Sequence, residues 1–142
     1  MPSLQTDPET LLDALAQSAF VITAVLNRVG AEHDLSLTQL RVLAILRDRR
    51  LRMSELADFL GLSKSTMSGL VDRAEKRGLL EREPNISDSR ATDVLLTARG
   101  AQLAGPIFTQ ISDALRPLID VLGATDQHRL QKLLTRMLTV SS

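Results

Sequence analysis

The side chains best placed to do chemistry in this chain lie in one run, Ser63-Lys64-Ser65-Thr66-Met67-Ser68. Ser63 is a helix N-cap, because its hydroxyl can accept from a backbone N–H that the first turn leaves unpaired. Lys64, Ser65, Thr66 and Ser68 follow as hydroxyl and ammonium donors at the positive end of that helix. Met67, Leu70, Val71 and Ala74 recur at i, i+3, i+4 and i+7, which puts one apolar face behind the hydrogen-bonding one. Gly78 ends the helix, with Lys76 and Arg77 in the last turn, where cations suit the dipole. This arrangement offers recognition rather than bond making, since a donor-rich helix start suits the base edges of a DNA major groove. An enzyme is not expected: the chain has no cysteine, no HExxH, no GxGxxG and no Gly-Lys-Ser/Thr phosphate loop.

The neighbouring segments predict how such a helix is held. Met53–Leu60 is a short amphipathic helix and Gly61-Leu62 a tight turn, so 53–77 reads as a helix-turn-helix with a second, recognition helix over 63–77. Leu79–Glu83 and Asp93–Leu96 read as two strands. The loop between them, residues 84–92, is rich in turn formers and too long for a two-residue hairpin. A hairpin in that place is a wing, its tip positioned for a minor groove. Upstream, Asp7-Pro8-Glu9 opens a first helix that is apolar on more than one face from Leu11 to Val29. It is either the central helix of a monomer's core or a helix shared with a second chain. Ser36-Leu37-Thr38-Gln39 is a capping box for a second helix running to about Asp48. Thr97 caps a helix striped with Leu103, Ile107, Ile111, Leu115, Leu118 and Leu122. Pro106 and Pro117 predict either a kink in it or two stacked segments. Leu130, Leu133, Leu134, Met137 and Leu138 form a last amphipathic helix.

The order of these elements, with Ser54-Glu55-Leu56-Ala57, Leu62-Ser63-Lys64-Ser65-Thr66, Val71-Asp72-Arg73, Glu75-Lys76-Arg77-Gly78-Leu79, Asp88-Ser89-Arg90 and Leu96-Thr97-Ala98-Arg99-Gly100, resembles the MarR family of bacterial winged helix-turn-helix regulators. The Asp-x-Arg wing followed closely by Leu-Thr-x-x-Gly is the specific part. The resemblance implies a mainly α fold: a winged helix-turn-helix with a short β-hairpin wing, flanked by N- and C-terminal dimerisation helices. It divides the chain into an N-terminal dimerisation helix (1–35), a DNA-binding domain (36–100) and C-terminal dimerisation helices (101–142), forming one compact unit. It implies a homodimeric transcriptional regulator, a repressor, on an inverted-repeat operator in double-stranded DNA. Ser63, Lys64, Ser65, Thr66, Ser68 and Arg73 would serve in the recognition helix, and Asp88, Ser89 and Arg90 in the wing. Thr38, Arg52, Ser54, Lys76 and Arg77 would contact phosphates. A small aromatic or anionic effector between dimer helices and winged domain would relieve binding; its pocket residues carry no motif. The rival reading is a winged-helix protein-interaction module without DNA binding.

Three positions depart from the family pattern. Arg52 stands where a capping Ser or Thr is usual, Gly69 where a base-reading Arg is frequent, and Ala74 where a larger Leu thickens the packing. Gly69 also costs the helix about 1 kcal/mol of propensity.

Composition sets the remaining bounds. With 142 residues, 44% hydrophobic and 2% aromatic, the chain can bury one aliphatic core. The formal charge is zero, yet residues 36–100 hold twelve bases against nine acids while residues 1–35 hold one against five. That modest central excess includes Arg47, Arg49, Arg50 and Arg52, a cluster able to meet phosphate or simply solvent. Without cysteine there are no disulfides, thiolate metal sites or thiol redox sensors. His33, between Glu32 and Asp34, reads as a solvated helix end; no metal and no cofactor are expected. No window shows the uncharged run of a membrane span and no signal peptide opens the chain, so a cytoplasmic protein is expected, in which the Asn85-Ile86-Ser87 sequon is accidental.

Overall fold

A computed structural model describes residues 7–141. Six helices and three strands follow in order: α1 (Pro8–Glu32), α2 (Leu37–Ile45), β1 (Leu51–Arg52), α3 (Met53–Leu60), α4 (Lys64–Lys76), β2 (Leu80–Pro84), β3 (Thr92–Leu96), α5 (Ala98–Asp120) and α6 (Ala124–Ser141). The fold is mainly helical, with a winged helix-turn-helix at its centre.

Helix starts are where side-chain oxygens could be supplied. Asp7 accepts from the Glu9 N–H, Ser36 exchanges bonds with Gln39 in a full capping box, and Thr97 accepts from the Gly100 N–H. α3 lacks that device at Arg52. There the Glu55 carboxylate accepts from the Arg52 N–H at 3.2 Å, the returning half of a capping box whose other half an arginine side chain cannot supply.

The sheet is antiparallel in the order β1-β3-β2, with Leu51 opposite Val94 and Arg82 opposite Val94 from the other side. β1 was not legible in the chain: two residues are too few for an alternating pattern, and β3 alone makes them a strand. α2 is shorter than expected, ending at Ile45 with Leu46 as its cap. α5 is one continuous helix through Pro106 and Pro117, not two stacked segments. Buried Ala104 and Ile107 seat the first proline's turn against the core, so packing outweighs the lost backbone bond.

The core lies inside the winged domain and the elements pressed on it. Leu40, Val42, Leu43 and Leu46 of α2, Leu56 of α3, Met67, Leu70, Val71 and Ala74 of α4, Val94 of β3, Val29 of α1 and Ile107 of α5 form one cluster. Ala74 leaves little space behind. The void lined by Leu43, Leu70, Ala74 and Leu79 measures ≈ 10 Å³, room for about one water. The expected thinning of the packing is thus largely absent, because the neighbouring side chains have closed in.

The Leu-Thr-x-x-Gly sequence has a structural cause. Thr97 Oγ1 donates to the Gly78 carbonyl at 2.5 Å, and the Thr97 N–H donates to the Leu79 carbonyl at 3.1 Å. Gly100 then packs so tightly that a Cβ would stand 2.1 Å from the Leu79 carbonyl oxygen. This stitch fixes α5 to the turn after α4, where Gly78 adopts φ +74°, a region side chains resist.

Against the expectation that no segment is apolar enough to span a membrane, α1 contains an 18-residue window of mean hydropathy 1.4 that passes on length and composition. The same apolar excess leaves Leu11, Leu12, Phe20 and Val21 exposed on this chain.

Candidate DNA-binding surface

α4 presents its first turn outward. Ser63, Lys64, Ser65 and Thr66 are all exposed, while Met67 is fully buried behind them. Ser63 Oγ accepts from the Thr66 N–H at 3.2 Å and donates to Thr66 Oγ1 at 2.9 Å, with Ser65 Oγ 3.2 Å away. The hydroxyls therefore form a preset cluster at the helix's positive end. Lys64, Arg73 and Lys76 are exposed and have no ion pair among the described residues. Gly69 gives Arg73 room to lie back along the helix, its Nη1 3.5 Å from where a Cβ would sit.

The wing is organised by Asn85 and Arg50, in roles their sequence context does not suggest. Asn85 Oδ1 accepts from the Ser87 and Asp88 N–H groups, both at 3.0 Å, and its Nδ2 donates to Asp93 Oδ1 at 2.9 Å. Arg50 donates to Asp93 Oδ2 and Glu83 Oε2, both at 2.8 Å, and so clamps the base of the wing. The Asp93 carboxyl, nearly inaccessible, is held below its ordinary pKa of 3.8 by the Asn85 bond and by Arg50, against the opposing effect of burial. At the tip, Asp88 Oδ1 accepts from the Arg90 N–H at 3.1 Å and from Arg90 Nε at 3.2 Å. Those two bonds hold the Asp88 carboxyl below the usual range. The Arg90 side chain remains 91% exposed, and Ser89 is exposed beside it.

A third device ties wing to recognition helix. Arg82 of β2 pairs with Asp72 at 2.8 Å and with Glu75, and it donates to the Ser68 carbonyl at 3.3 Å. Sequence alone could not assign these roles to Arg50, Arg82 and Asn85, because their partners Asp93, Glu83, Asp72 and Glu75 are brought to them by strand register and by the packing of α4 on β2.

Between the start of α3, the start of α4 and the wing runs a groove of ≈ 480 Å³. Arg52, Ser54, Lys64, Ser68 and Arg90 line it, and no acidic side chain does. The fold thus brings together expected residues from all three segments. Thr38, half-buried near the start of α2, is not in the groove. Lys76 is about 18 Å from Lys64 along the helix. Arg77 donates to the carbonyls of Asp34 at 2.7 Å and His33 at 3.1 Å, so its guanidinium braces the α1–α2 junction. The Arg47–Arg52 cluster is also less free than its composition suggests. Arg47 lies over the Phe108 ring, Arg49 over Phe59, and Arg50 is locked in the wing base. His33 is not a solvated helix end: it is half-buried, its Nε2 3.1 Å from Gln110 Oε1.

Comparison with known proteins agrees with this geometry. A MarR family model matches residues 33–91. The chain is 26% identical over 140 residues to the HTH-type transcriptional regulator PecS of Dickeya dadantii (strain 3937), covering 96% of this chain and 84% of that one. It is 25% identical to the homoprotocatechuate degradative operon repressor of Escherichia coli over 135 residues, 94% of this chain and 91% of the relative. The crystal structure of NadR in complex with 4-hydroxyphenylacetate superposes with a TM-score of 0.77 at 23% identity, covering 96% of this chain and 97% of that one. An exposed, cation-lined groove joins a hydroxyl-rich helix start to an arginine-tipped wing, and the family model matches the segment that builds both. The chain is therefore similar to the MarR family through its winged segment, and is a DNA-binding transcriptional regulator.

Proposed function

We propose that the protein is a cytoplasmic, non-enzymatic homodimeric repressor that binds an inverted-repeat operator and is released by a small effector. The observation that carries this reading is the acid-free groove between the start of α4 and the wing. Ser65, Thr66 and Ser68 meet base edges in the major groove, with Ser63 holding the helix start that presents them. Lys64 and Arg73 reach guanine or phosphate. Arg90, steadied by Asp88 and flanked by Ser89, enters the adjacent minor groove. Arg52, Ser54 and, more distantly, Thr38 and Lys76 contact phosphates. Arg77 acts on DNA only through the junction it braces.

Two copies, joined through residues 1–35 and 101–142, place the two heads of residues 36–100 about one helical turn apart. The apolar side chains exposed on α1 and α6 support that pairing. The aromatic acid named with NadR supports an effector of the same class, acting by binding more tightly to the DNA-incompetent spacing of the heads. Selection from a random duplex pool tests the reading. A palindrome with half-sites one turn apart is expected. An absence of salt-dependent binding to any duplex would favour a protein-interaction role instead.

A further inference from the structure

The wing tip carries an apolar side chain as exposed as its arginine. Ile86 is 90% accessible, the most exposed of the large hydrophobic residues in the described chain. Its position is not that of a loose loop. The Asn85 N–H donates to the Ala91 carbonyl at 3.0 Å and closes the loop, and the Ala91 N–H donates to the Asp88 carbonyl at 3.0 Å. Asn85 Oδ1 fixes the two backbone groups that follow Ile86, and Asn85 is itself held by Asp93. Ile86 and Arg90 are therefore the first residues inside the closing pair, one on each side of the loop. The tip thus carries a branched aliphatic group on one limb and a guanidinium on the other, on a frame that restricts its motion.

Nothing in the fold uses Ile86, and its exposure to water is unfavourable. The floor and walls of a minor groove match it: deoxyribose edges are apolar, and an A·T pair offers no amino group there. A G·C pair places the guanine 2-amino group at the floor, where an aliphatic side chain would bury it without an acceptor. Proteins that enter the minor groove commonly bring a cation and an apolar side chain to it together, although the apolar group there often wedges between base steps.

We propose that Ile86 is a specificity-determining residue that excludes G·C pairs from the minor groove reached by the wing. The inference rests on the DNA-binding reading above, with Arg90 supplying attraction and Ile86 discrimination. Base pairs under the wing are then read by shape and by the missing amino group, and no hydrogen bond from Ile86 is involved.

The test uses the full chain and duplexes carrying the selected half-sites. The pairs under the wing are varied among A·T, G·C and inosine·cytosine, the last lacking the 2-amino group while keeping the G·C major-groove carbonyl. Native protein is expected to bind A·T and inosine·cytosine alike, and G·C about fivefold more weakly or worse. Ile86→Ala should bring the three within about twofold of each other with the salt slope unchanged, and Ile86→Val should retain most of the gap. Arg90→Ala, which removes one cation from each of the two heads, should lower the salt slope by about two while keeping the order of preference. If inosine·cytosine behaves like G·C, or if Ile86→Ala leaves the preference intact, the proposal is wrong while DNA binding itself stands. Failure of the native protein to bind any duplex would overturn both.

Discussion

Asp93 shows how one side chain can tie a recognition element to the solution pH. It is buried, accepts from Asn85 and Arg50, and has a carboxyl pKa below 3.8 in the folded state. A lowered folded-state pKa means the unfolded chain binds the proton more readily, so the contribution is fully present above the unfolded value and is lost as pH falls through the folded one. Asp88 has the same sign, through the Arg90 backbone and side-chain bonds. Stability measured by urea unfolding should therefore be flat near neutrality and decline from about pH 4 downward. Asp93→Asn should be less stable at pH 7, because Arg50 loses a charged partner, and its decline in acid should be shallower. An acid limb as steep as the native one in Asp93→Asn would show that this carboxylate is not a cause. None of this was readable from residue types, since Arg50 and Asp93 are 43 positions apart and meet only through the β1–β3 register. Ser63, Asp88 and Arg90 were readable, because caps and short turns act within three residues.

At the level of elements, the winged domain is held by a few close approaches where added volume is costly. Gly100→Ala would drive a Cβ against the Leu79 backbone, which cannot swing aside as a side chain can. A loss of about 3 kcal/mol is expected, read as a lowered urea midpoint. Ala74→Leu, which restores the residue usual in the family, should also destabilise here, by about 1–3 kcal/mol, because the remaining void is only ≈ 10 Å³. A more stable Ala74→Leu variant would mean the space under α4 is larger or more yielding than it looks. The helices, their caps and the two wing strands were legible because periodicity and capping are local signals. β1, the continuity of α5 and the Arg82 clamp were not, because each is decided by what a distant segment packs against it. The α1–α2 junction was misjudged for the same reason: the contacts of Arg77 and His33 come from α4 and α5 folding back on it.

For the whole molecule, one half is finished and the other is not. The winged domain buries its apolar residues, yet Leu11, Leu12 and Phe20 of α1, Leu118 and Ile119 of α5, and Leu133, Met137 and Leu138 of α6 remain exposed. On α6, together with Leu130 and Leu134, these form a stripe at three- and four-residue spacing, the pattern of a helix packed against a partner. The proposed pairing would also account for the membrane-like hydropathy of α1, since a helix covered on two sides by different chains needs apolar residues around most of its circumference. The proposed two-fold pair would cover all three helices at once and would add a second DNA-reading head to a chain whose net charge is zero. Leu134→Glu sets a carboxylate in the middle of the α6 stripe, and a buried unpaired charge is costly enough to break such a contact. Light scattering at micromolar concentration should give two chains for the native protein and one for the variant. Operator affinity should fall about a hundredfold, because the heads no longer share one binding event. The salt slope should fall to roughly half, since each head then releases only its own counterions. The winged domain should keep its amide-exchange protection in the variant, since Leu134 lies outside its core. A native protein that runs as a single chain yet holds its operator at full affinity would remove the reason for the exposed stripe and, with it, the two-headed reading.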